Sequence, residues 1–250
     1  MTGLGLATEA LVNDGIVRRV REDDLVVLDT PARRDYWFGH GFVLDAPPDA
    51  ARAAALVAQG RRRFGALGAE RFVLQWERAY GVPAAPLETS EETRRDRSLV
   101  MVYDGPAPAA DPRVADHGER WGEARGLAVE EYSEFADFTG WRFDCVRRDV
   151  DAGRARVVGI REHGRLLATA GLYRGAGIAR FVTPVTRPPA RGRGLFSACA
   201  RTLIAWANAD APRRVVIVAD ARGGPVDLYR RLGFVPASYL ESVIVAGLPT

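Results

Sequence analysis

Residues 186–198, TRPPARGRGLFSA, connect an apolar run at 179–185 to a helical pattern that begins at Leu195. The N–H groups of a glycine turn and of the first helical turn have no partners within the helix, and the helix dipole adds partial positive charge. An anion, usually phosphate, binds at such a place. Glycine at 192 and 194 avoids Cβ atoms that would obstruct the turn and the approach of a ligand. The stretch therefore predicts a strand, a tight turn and a helix whose N-terminus binds phosphate.

Composition and charge are those of an ordinary globular protein of 250 residues, long enough for one large core or two small ones. The formal charge is +3, and all 35 basic residues are arginine, which a coding bias explains. Because the arginines alternate with acidic residues along the whole chain, an arginine-rich nucleic-acid-binding protein is a poor alternative. Cys145 and Cys199 form neither a disulfide framework nor a metal-binding spacing, so no metal is expected.

Neither a targeting segment nor a membrane span is predicted. Residues 1–15 lack a basic region followed by an apolar core, and no apolar run approaches about 18 residues. We therefore expect a soluble, cytoplasmic protein with no membrane partner.

The first half of the chain has the order strand, helix, strand. Apolar runs predict strands at 24–30, 36–45, 71–77 and 98–103, and an alanine-rich pattern predicts a helix at 48–67. Strands joined through a helix are expected to be parallel. The segment at 105–112, GPAPAADP, is the best candidate for a linker.

Beyond the linker the same order recurs. The patterns predict helices at 119–126, 129–150, 195–208 and 225–232, and strands at 156–161, 166–174, 179–186, 215–220 and 238–246. At 45–51 the first half has DAPPDAA where the second half has the glycine turn. Because DAPPDAA has neither a glycine pair nor an arginine, one phosphate site per chain is expected.

Two blocks of sequence together indicate a family. The turn alone fits several phosphate ligands, but a Walker loop needs lysine, and a GxGxxG dinucleotide motif is absent. Downstream, the run VVIVAD at 215–220 is followed by Leu228-Tyr229 and Leu232-Gly233-Phe234. With the loop Arg191-Gly192-Arg193-Gly194-Leu195-Phe196, this spacing resembles the GNAT superfamily of acyl-CoA-dependent N-acyltransferases, over residues 113–250.

The chain departs from the family pattern at three positions. The family's loop is Arg/Gln-x-x-Gly-x-Gly/Ala, and here Phe196 replaces the last small residue. The later block is commonly Asn-x-x-Ala-x-x-Leu-Tyr-x-x-x-Gly-Phe, and here Arg222 and Pro225 replace the asparagine and the alanine. None of these changes removes a group that acyl transfer requires.

The resemblance implies an α/β fold with mixed sheets. Two GNAT-like units are expected, each a central, mostly antiparallel sheet with a parallel splayed pair and flanking helices. Residues 1–104 would form a degenerate unit without a phosphate loop, 105–112 the linker, and 113–250 the domain that binds acetyl-CoA. The first unit would shape the acceptor groove, and the protein would be a monomer or a homodimer.

The resemblance also assigns roles to residues. Backbone N–H groups from Gly192 through Gly194 and Leu195 to Phe196 would hold the pyrophosphate, with charge added by Arg191 and Arg193. The main chain at Val185 and Thr186 would pair with the pantetheine arm, and Arg222 stands where an asparagine often contacts that arm. Tyr229 would protonate the departing thiolate, a role open to a phenol of ordinary pKa about 10.

The predicted reaction is direct attack of an amine on the thioester of acetyl-CoA, without a covalent enzyme intermediate. The acceptor would be a small-molecule or peptide amine. No base is identified: Glu131, Glu134 and Asp220 are candidates, and a water relay is equally possible. The alternative is a non-catalytic, regulatory CoA-binding protein, which Phe196 and Arg222 favour.

Overall fold

The computed structural model describes residues 3–84, 92–223 and 225–248. The chain divides into two compact units. The first comprises Met1–Met101, Val218–Val226 and Pro236–Thr250, and the second comprises Val102–Ile217 and Asp227–Val235. The first unit thus takes two segments from the C-terminal half of the chain. The contiguous division at 105–112 stays a prediction.

Helices and strands are interspersed along the described chain. In chain order the elements are α1 (Leu4–Val12), β1 (Arg18–Glu22), β2 (Leu25–Asp29), β3 (Gly41–Leu44), α2 (Ala50–Gly65), β4 (Phe72–Ala79), β5 (Thr93–Tyr103), β6 (Val114–Asp116), α3 (Trp121–Glu131), α4 (Ala136–Asp151), β7 (Ala155–Glu162), β8 (Arg165–Arg174), β9 (Ile178–Thr186), α5 (Leu195–Ala207), β10 (Arg214–Asp220), α6 (Pro225–Arg231) and β11 (Phe234–Val245). The mixed α/β fold class predicted from the sequence is confirmed.

The sheet of the first unit has the strand order β1-β2-β3-β4-β11-β5. The first three strands are antiparallel, and β3 and β4 are parallel on either side of α2, as predicted. The last strand, β11, pairs antiparallel with β4 over residues 238–245. Phe42, Phe64 and Phe72 contact one another in the core, with ring centroids 5.2 to 6.3 Å apart.

The sheet of the second unit has the strand order β10-β9-β8-β7-β6. Strands β6 to β9 are antiparallel, and β10 is parallel to β9. Helix α5 packs on β8 and β9 through a buried face of small and aliphatic residues, among them Ala198, Leu203 and Ile204. This packing fixes the start of α5 beyond the end of β9.

Several elements differ from the sequence prediction. The strand predicted at 36–45 is a strand only at Gly41–Leu44, and Trp37–Gly39 forms a 3-10 turn. The RRVRE segment of β1, for which the apolar pattern predicts no strand, is an outer strand of its sheet, and its Arg18, Arg21 and Glu22 side chains make ion pairs. Strand β6 has only three residues. The predicted helix break at 127–128 is wrong, because Leu127 and Ala128 are buried within α3, and the break falls at a 3-10 turn, Ser133–Phe135.

Candidate functional site

The turn between β9 and α5 has the backbone that its glycines predict. Gly192 and Gly194 have φ of 77° and 72°, in the left-handed region that side chains with a Cβ rarely adopt. A Cβ built on either would meet nothing within 4 Å, so the turn faces open space. Gly194 is the N-cap of α5, and no side chain caps this helix among the described residues. The first N–H groups of α5 therefore remain without a side-chain acceptor.

The equivalent helix of the first unit, α2, is capped by a carboxylate side chain. Helix α2 also follows the first strand of a parallel pair, but its N-cap is Asp49, whose carboxylate accepts a hydrogen bond from the Arg52 N–H at 2.7 Å. An aspartate at this position supplies the negative charge that the helix terminus favours. The N-terminus of α2 is thus capped by a carboxylate, and that of α5 is not.

The arginines around the turn are all bound to carboxylates. Arg191 pairs with Glu131 of α3, and its Nε donates to the Thr186 carbonyl at 3.1 Å. Arg193 pairs with Glu162 at 2.6 Å and lowers the pKa of that carboxyl below its ordinary value. Both guanidinium groups are about half exposed, so these pairs contribute little to stability and exchange readily for another anion.

Strands β9 and β10 pair over only a short length. Residues 178–180 of β9 pair with residues 214–216 of β10. Among the described residues, none at 181–186 pairs with β10. The register between β8 and β9 also shifts near Thr183, which has a φ of 49° and precedes Pro184. The result is a strand edge beside the glycine turn that β10 does not cover.

Val185 and Thr186 lie on this edge, directly before the turn. The Val185 side chain is buried in a cluster with Leu127 of α3 and Phe143 of α4. Thr186 pairs with Ala168 of β8. With its side chain in the core, Val185 has only main-chain groups to offer a ligand at this edge.

Tyr229 on α6 lies in a cluster of aromatic rings. Its ring centroid is 5.8 Å from that of Phe196 and 6.3 Å from that of Phe234, and Phe181 contacts both phenylalanines. Phe196 therefore brings the end of the glycine turn into contact with Tyr229. Burial, with a smaller contribution from Tyr132, raises the pKa of Tyr229 to about 12.

The raised pKa defines what Tyr229 can do. The phenol stays neutral throughout the physiological range and can donate a hydrogen bond. It is, however, a weaker acid than an exposed tyrosine, and full proton transfer to a thiolate whose conjugate acid has a pKa near 8.5 is unfavourable. The group suits stabilisation of a developing negative charge better than outright protonation.

The three candidate bases have different surroundings. Glu131 is held by Arg191, and Glu134 is exposed. Asp220 accepts the Arg222 N–H at 2.9 Å, which, with the Arg222 side chain, lowers the pKa of Asp220 and makes it a poor base near neutral pH. Arg222 itself lies in the first unit and makes ion pairs with Asp96 and Asp220. Of the three carboxylates, Glu131 is thus held by an arginine, Asp220 is disfavoured as a base, and Glu134 lies in solvent.

Comparison with known proteins identifies the fold. No protein-family model matches the sequence, and no curated protein matches it significantly. A conserved protein of unknown function from Staphylococcus epidermidis has a similar structure, with a TM-score of 0.73 at 10% identity, covering 92% of this chain and 94% of that one. A GCN5-related N-acetyltransferase from Kribbella flavida has a TM-score of 0.61 at 19% identity, covering 99% and 98%.

A third similar structure is a tandem GNAT protein from the clavulanic acid biosynthesis pathway, with a TM-score of 0.54 at 13% identity, covering 90% of this chain and 79% of that one. This chain has the GNAT fold. The likeness extends over both units, which confirms the tandem GNAT-like arrangement predicted from the sequence. At these identities the similarity concerns the fold and leaves the chemistry to be argued from the residues.

Within the GNAT fold of this chain, the glycine turn, the free edge of β9 and Tyr229 belong to the second unit. Sequence analysis missed the aromatic contacts of Phe181 and the unusual backbone of Thr183. Pro184 was the available signal for the latter, since proline interrupts strand pairing. Among the described residues, no cluster of side chains could hold a metal ion, and no helix is both long and apolar enough to cross a membrane.

Proposed function

We propose that this protein is an N-acetyltransferase that moves an acetyl group from acetyl-CoA to an amine. One observation carries the proposal: the N-terminus of α5 has no capping side chain, follows two left-handed glycines, and begins where the unpaired edge of β9 ends. A phosphate site beside a free strand edge suits a ligand that has a pyrophosphate and an amide-bearing arm, as CoA does.

The residues that would bind acetyl-CoA follow from this geometry. The N–H groups of 192–196 would donate to the pyrophosphate, and Arg191 and Arg193 would exchange Glu131 and Glu162 for phosphate oxygens. The main chain at Val185 and Thr186 would form hydrogen bonds with the pantetheine amides, as an added strand does. Arg222 is proposed as a further contact to the cofactor.

The reaction requires little covalent chemistry from the protein. The amine nitrogen attacks the thioester carbonyl carbon, the C–S bond breaks with its electron pair on sulfur, and a proton passes in net terms from nitrogen to sulfur. The Tyr229 hydroxyl would donate a hydrogen bond to sulfur as charge develops there, for which its neutral state is suited. Water would carry the proton from the amine, because Arg191 holds Glu131 and the lowered pKa of Asp220 makes it a poor base. Alignment of the two reactants would supply much of the rate.

The decisive experiment separates binding from turnover. Acetyl-CoA should raise the unfolding midpoint of the full chain, by an amount equivalent to about 2.7 kcal/mol at a concentration one hundred times its Kd. Release of free thiol should then be measured with a panel of small-molecule and peptide amines. Stabilisation with turnover supports the enzyme, stabilisation without turnover on any amine supports the regulatory CoA-binding alternative, and no stabilisation overturns both.

A further inference from the structure

A cavity of about 290 Å³ lies within the first unit, next to its parallel strand pair. Strands β3 and β4 pair at 41–43 with 73–75, and the cavity is lined by the residues that follow, Leu44 and Asp45 on β3 and its continuation, and Glu77 and Ala79 on β4. It therefore lies beyond the paired part of β3 and β4, as the free edge of β9 lies beyond the paired part of β9 and β10. The volume is at the lower end of the range for small-molecule sites.

The cavity does not suit a CoA molecule. Helix α2, which follows β3, has the Asp49 carboxylate at its N-terminus, so a pyrophosphate placed there would meet a negative charge. A ligand of this cavity must therefore be small enough to be held by the cavity alone.

Three of the four charged side chains in the lining already have partners. Asp45 binds Arg21 through two contacts, of 3.2 and 2.5 Å. The Glu77 carboxylate accepts the Gly5 and Leu6 N–H groups, each at 3.0 Å, and the Ser238 hydroxyl. These groups have little capacity left for a ligand.

Arg19 is the exception. It lies on the same face of β1 as Arg21, two residues away, and lines the cavity. Its guanidinium has neither an ion pair nor a hydrogen bond to any residue in the described part of the chain. It is more than half buried, which lowers its pKa, and Glu9 of α1 raises that pKa through space. A partly desolvated guanidinium without a bonded acceptor is costly unless a ligand supplies one.

The remaining lining is apolar. Leu6, Val26, Val43 and Leu44 contribute aliphatic side chains, and Ala79 and Ala237 contribute methyl groups. A ligand that leaves Arg19 charged and satisfied must be anionic at one end, and one that fits these side chains must be aliphatic at the other. A carboxylate also matches the fork of donors that a guanidinium presents.

We propose that this cavity binds a short aliphatic monocarboxylate, with its carboxylate on Arg19 and its hydrocarbon part against the leucine and valine side chains. The first unit would then be a ligand-binding unit in its own right, separate from the proposed acetyl-CoA site. The inference is independent of the proposed function, because no residue of the glycine turn or of α6 contributes to it.

The test uses the full chain with acetate, propionate, butyrate and hexanoate as probes, and with the corresponding amides as uncharged controls. Titration calorimetry should show saturable binding of at least one carboxylate and of none of the amides. Arg19→Gln should weaken that binding about tenfold to a hundredfold, the effect of losing a charged hydrogen bond. Arg18→Gln, on the opposite face of β1 and paired with Asp29, should bind like the wild type.

A second variant controls for loss of binding through misfolding of Arg19→Gln. Ala237→Leu keeps every charge and fills the cavity, and it should lose binding of the longer carboxylates while its unfolding midpoint stays near that of the wild type. Binding of no carboxylate by the wild type would overturn the proposal. So would equal affinities of the wild type, Arg19→Gln and Ala237→Leu.

Discussion

Tyr229 combines a buried ring with a hydroxyl that bonds to none of the described residues, and its role can be separated from its packing. Tyr229→Phe keeps the ring contacts with Phe196 and Phe234, so acetyl-CoA should stabilise the variant as it does the wild type. We expect kcat for thiol release to fall about hundredfold, because the developing thiolate loses its donor. Steady-state kinetics with the best amine of the panel measure this.

Tyr103→Phe is the matched control for that variant. Tyr103 contacts Phe234 in the same aromatic cluster, but its hydroxyl donates to the Pro106 carbonyl at 2.7 Å. Its removal should leave kcat within about twofold of the wild type. Turnover by Tyr229→Phe at the wild-type rate would show that the phenol takes no part in the reaction.

The buried His117 makes the stability of the folded protein depend on pH. Thr169 donates its hydroxyl hydrogen to the Val158 carbonyl, so the His117 Nε2–H donates to Thr169, and Nδ1 faces the Arg161 guanidinium at 3.1 Å. Burial, and then the charge of Arg161, lower the pKa of His117 to about 4. The imidazole is therefore neutral in the folded protein at pH values where the unfolded chain takes up a proton.

This lowered pKa predicts acid destabilisation. The contribution of His117 to the free energy of unfolding is complete above the unfolded pKa of about 6.5 and is lost as the pH falls toward 4. Between pH 7.5 and pH 5 the loss amounts to about 2 kcal/mol. Urea unfolding at the two pH values measures the loss. His117→Gln should reduce it, whereas His163→Gln, at an exposed turn, should leave it unchanged. Because burial also lowers the pKa of His40, part of the dependence will remain, but an undiminished loss in His117→Gln contradicts the assignment.

At the scale of the elements, a carboxylate should have different effects at the starts of α5 and α2. Added at α5 it should weaken ligand binding, whereas at α2 its removal should lower stability. Gly194→Asp places a carboxylate where the pyrophosphate is proposed to bind, and repulsion should weaken acetyl-CoA binding about tenfold to a hundredfold. Gly194→Asn has the same shape without the charge and tolerates the left-handed backbone, so it isolates the electrostatic effect. Calorimetric titration with acetyl-CoA gives both affinities.

Asp49→Ala is the counterpart in the first unit. Loss of the cap on α2 should lower the free energy of unfolding by about 1 kcal/mol and leave acetyl-CoA affinity unchanged. Equal affinities in Gly194→Asp and Gly194→Asn would argue against a phosphate at the start of α5.

Elements with a local signal could be predicted from the sequence, and those that depend on distant partners could not. Both parallel pairs follow from apolar runs on either side of a proline-led helix, and the glycine turn has the left-handed backbone that its composition requires. Strand β1 has no apolar alternation, and its Arg18, Arg21 and Glu22 side chains pair with side chains from elsewhere. The contact between Phe196 and Tyr229 also escapes sequence analysis, because it joins residues more than thirty positions apart.

At the scale of the whole molecule, the last strand decides how the chain can be divided. Sequence order alone places β11 with the second half, yet eight of its residues pair with β4 in the first unit. Val243 and Val245 complete the cluster around Phe72, Leu74 and Trp76. A fragment of residues 1–104 would lose this strand and expose the apolar edge of β4.

We therefore expect residues 1–104 alone to be unfolded or aggregated, although the linker predicted at 105–112 would be the place to cut. Co-expressed with residues 105–250, the fragment should form a soluble complex, because β11 then pairs with β4 across the break. As a control, residues 234–248 joined to the fragment by a glycine-serine linker supply the strand and should restore much of its solubility. Circular dichroism and size-exclusion chromatography distinguish these states. A fragment of residues 1–104 that is monomeric and unfolds cooperatively would show that the first unit does not need β11, since edge strands can be protected by charge alone.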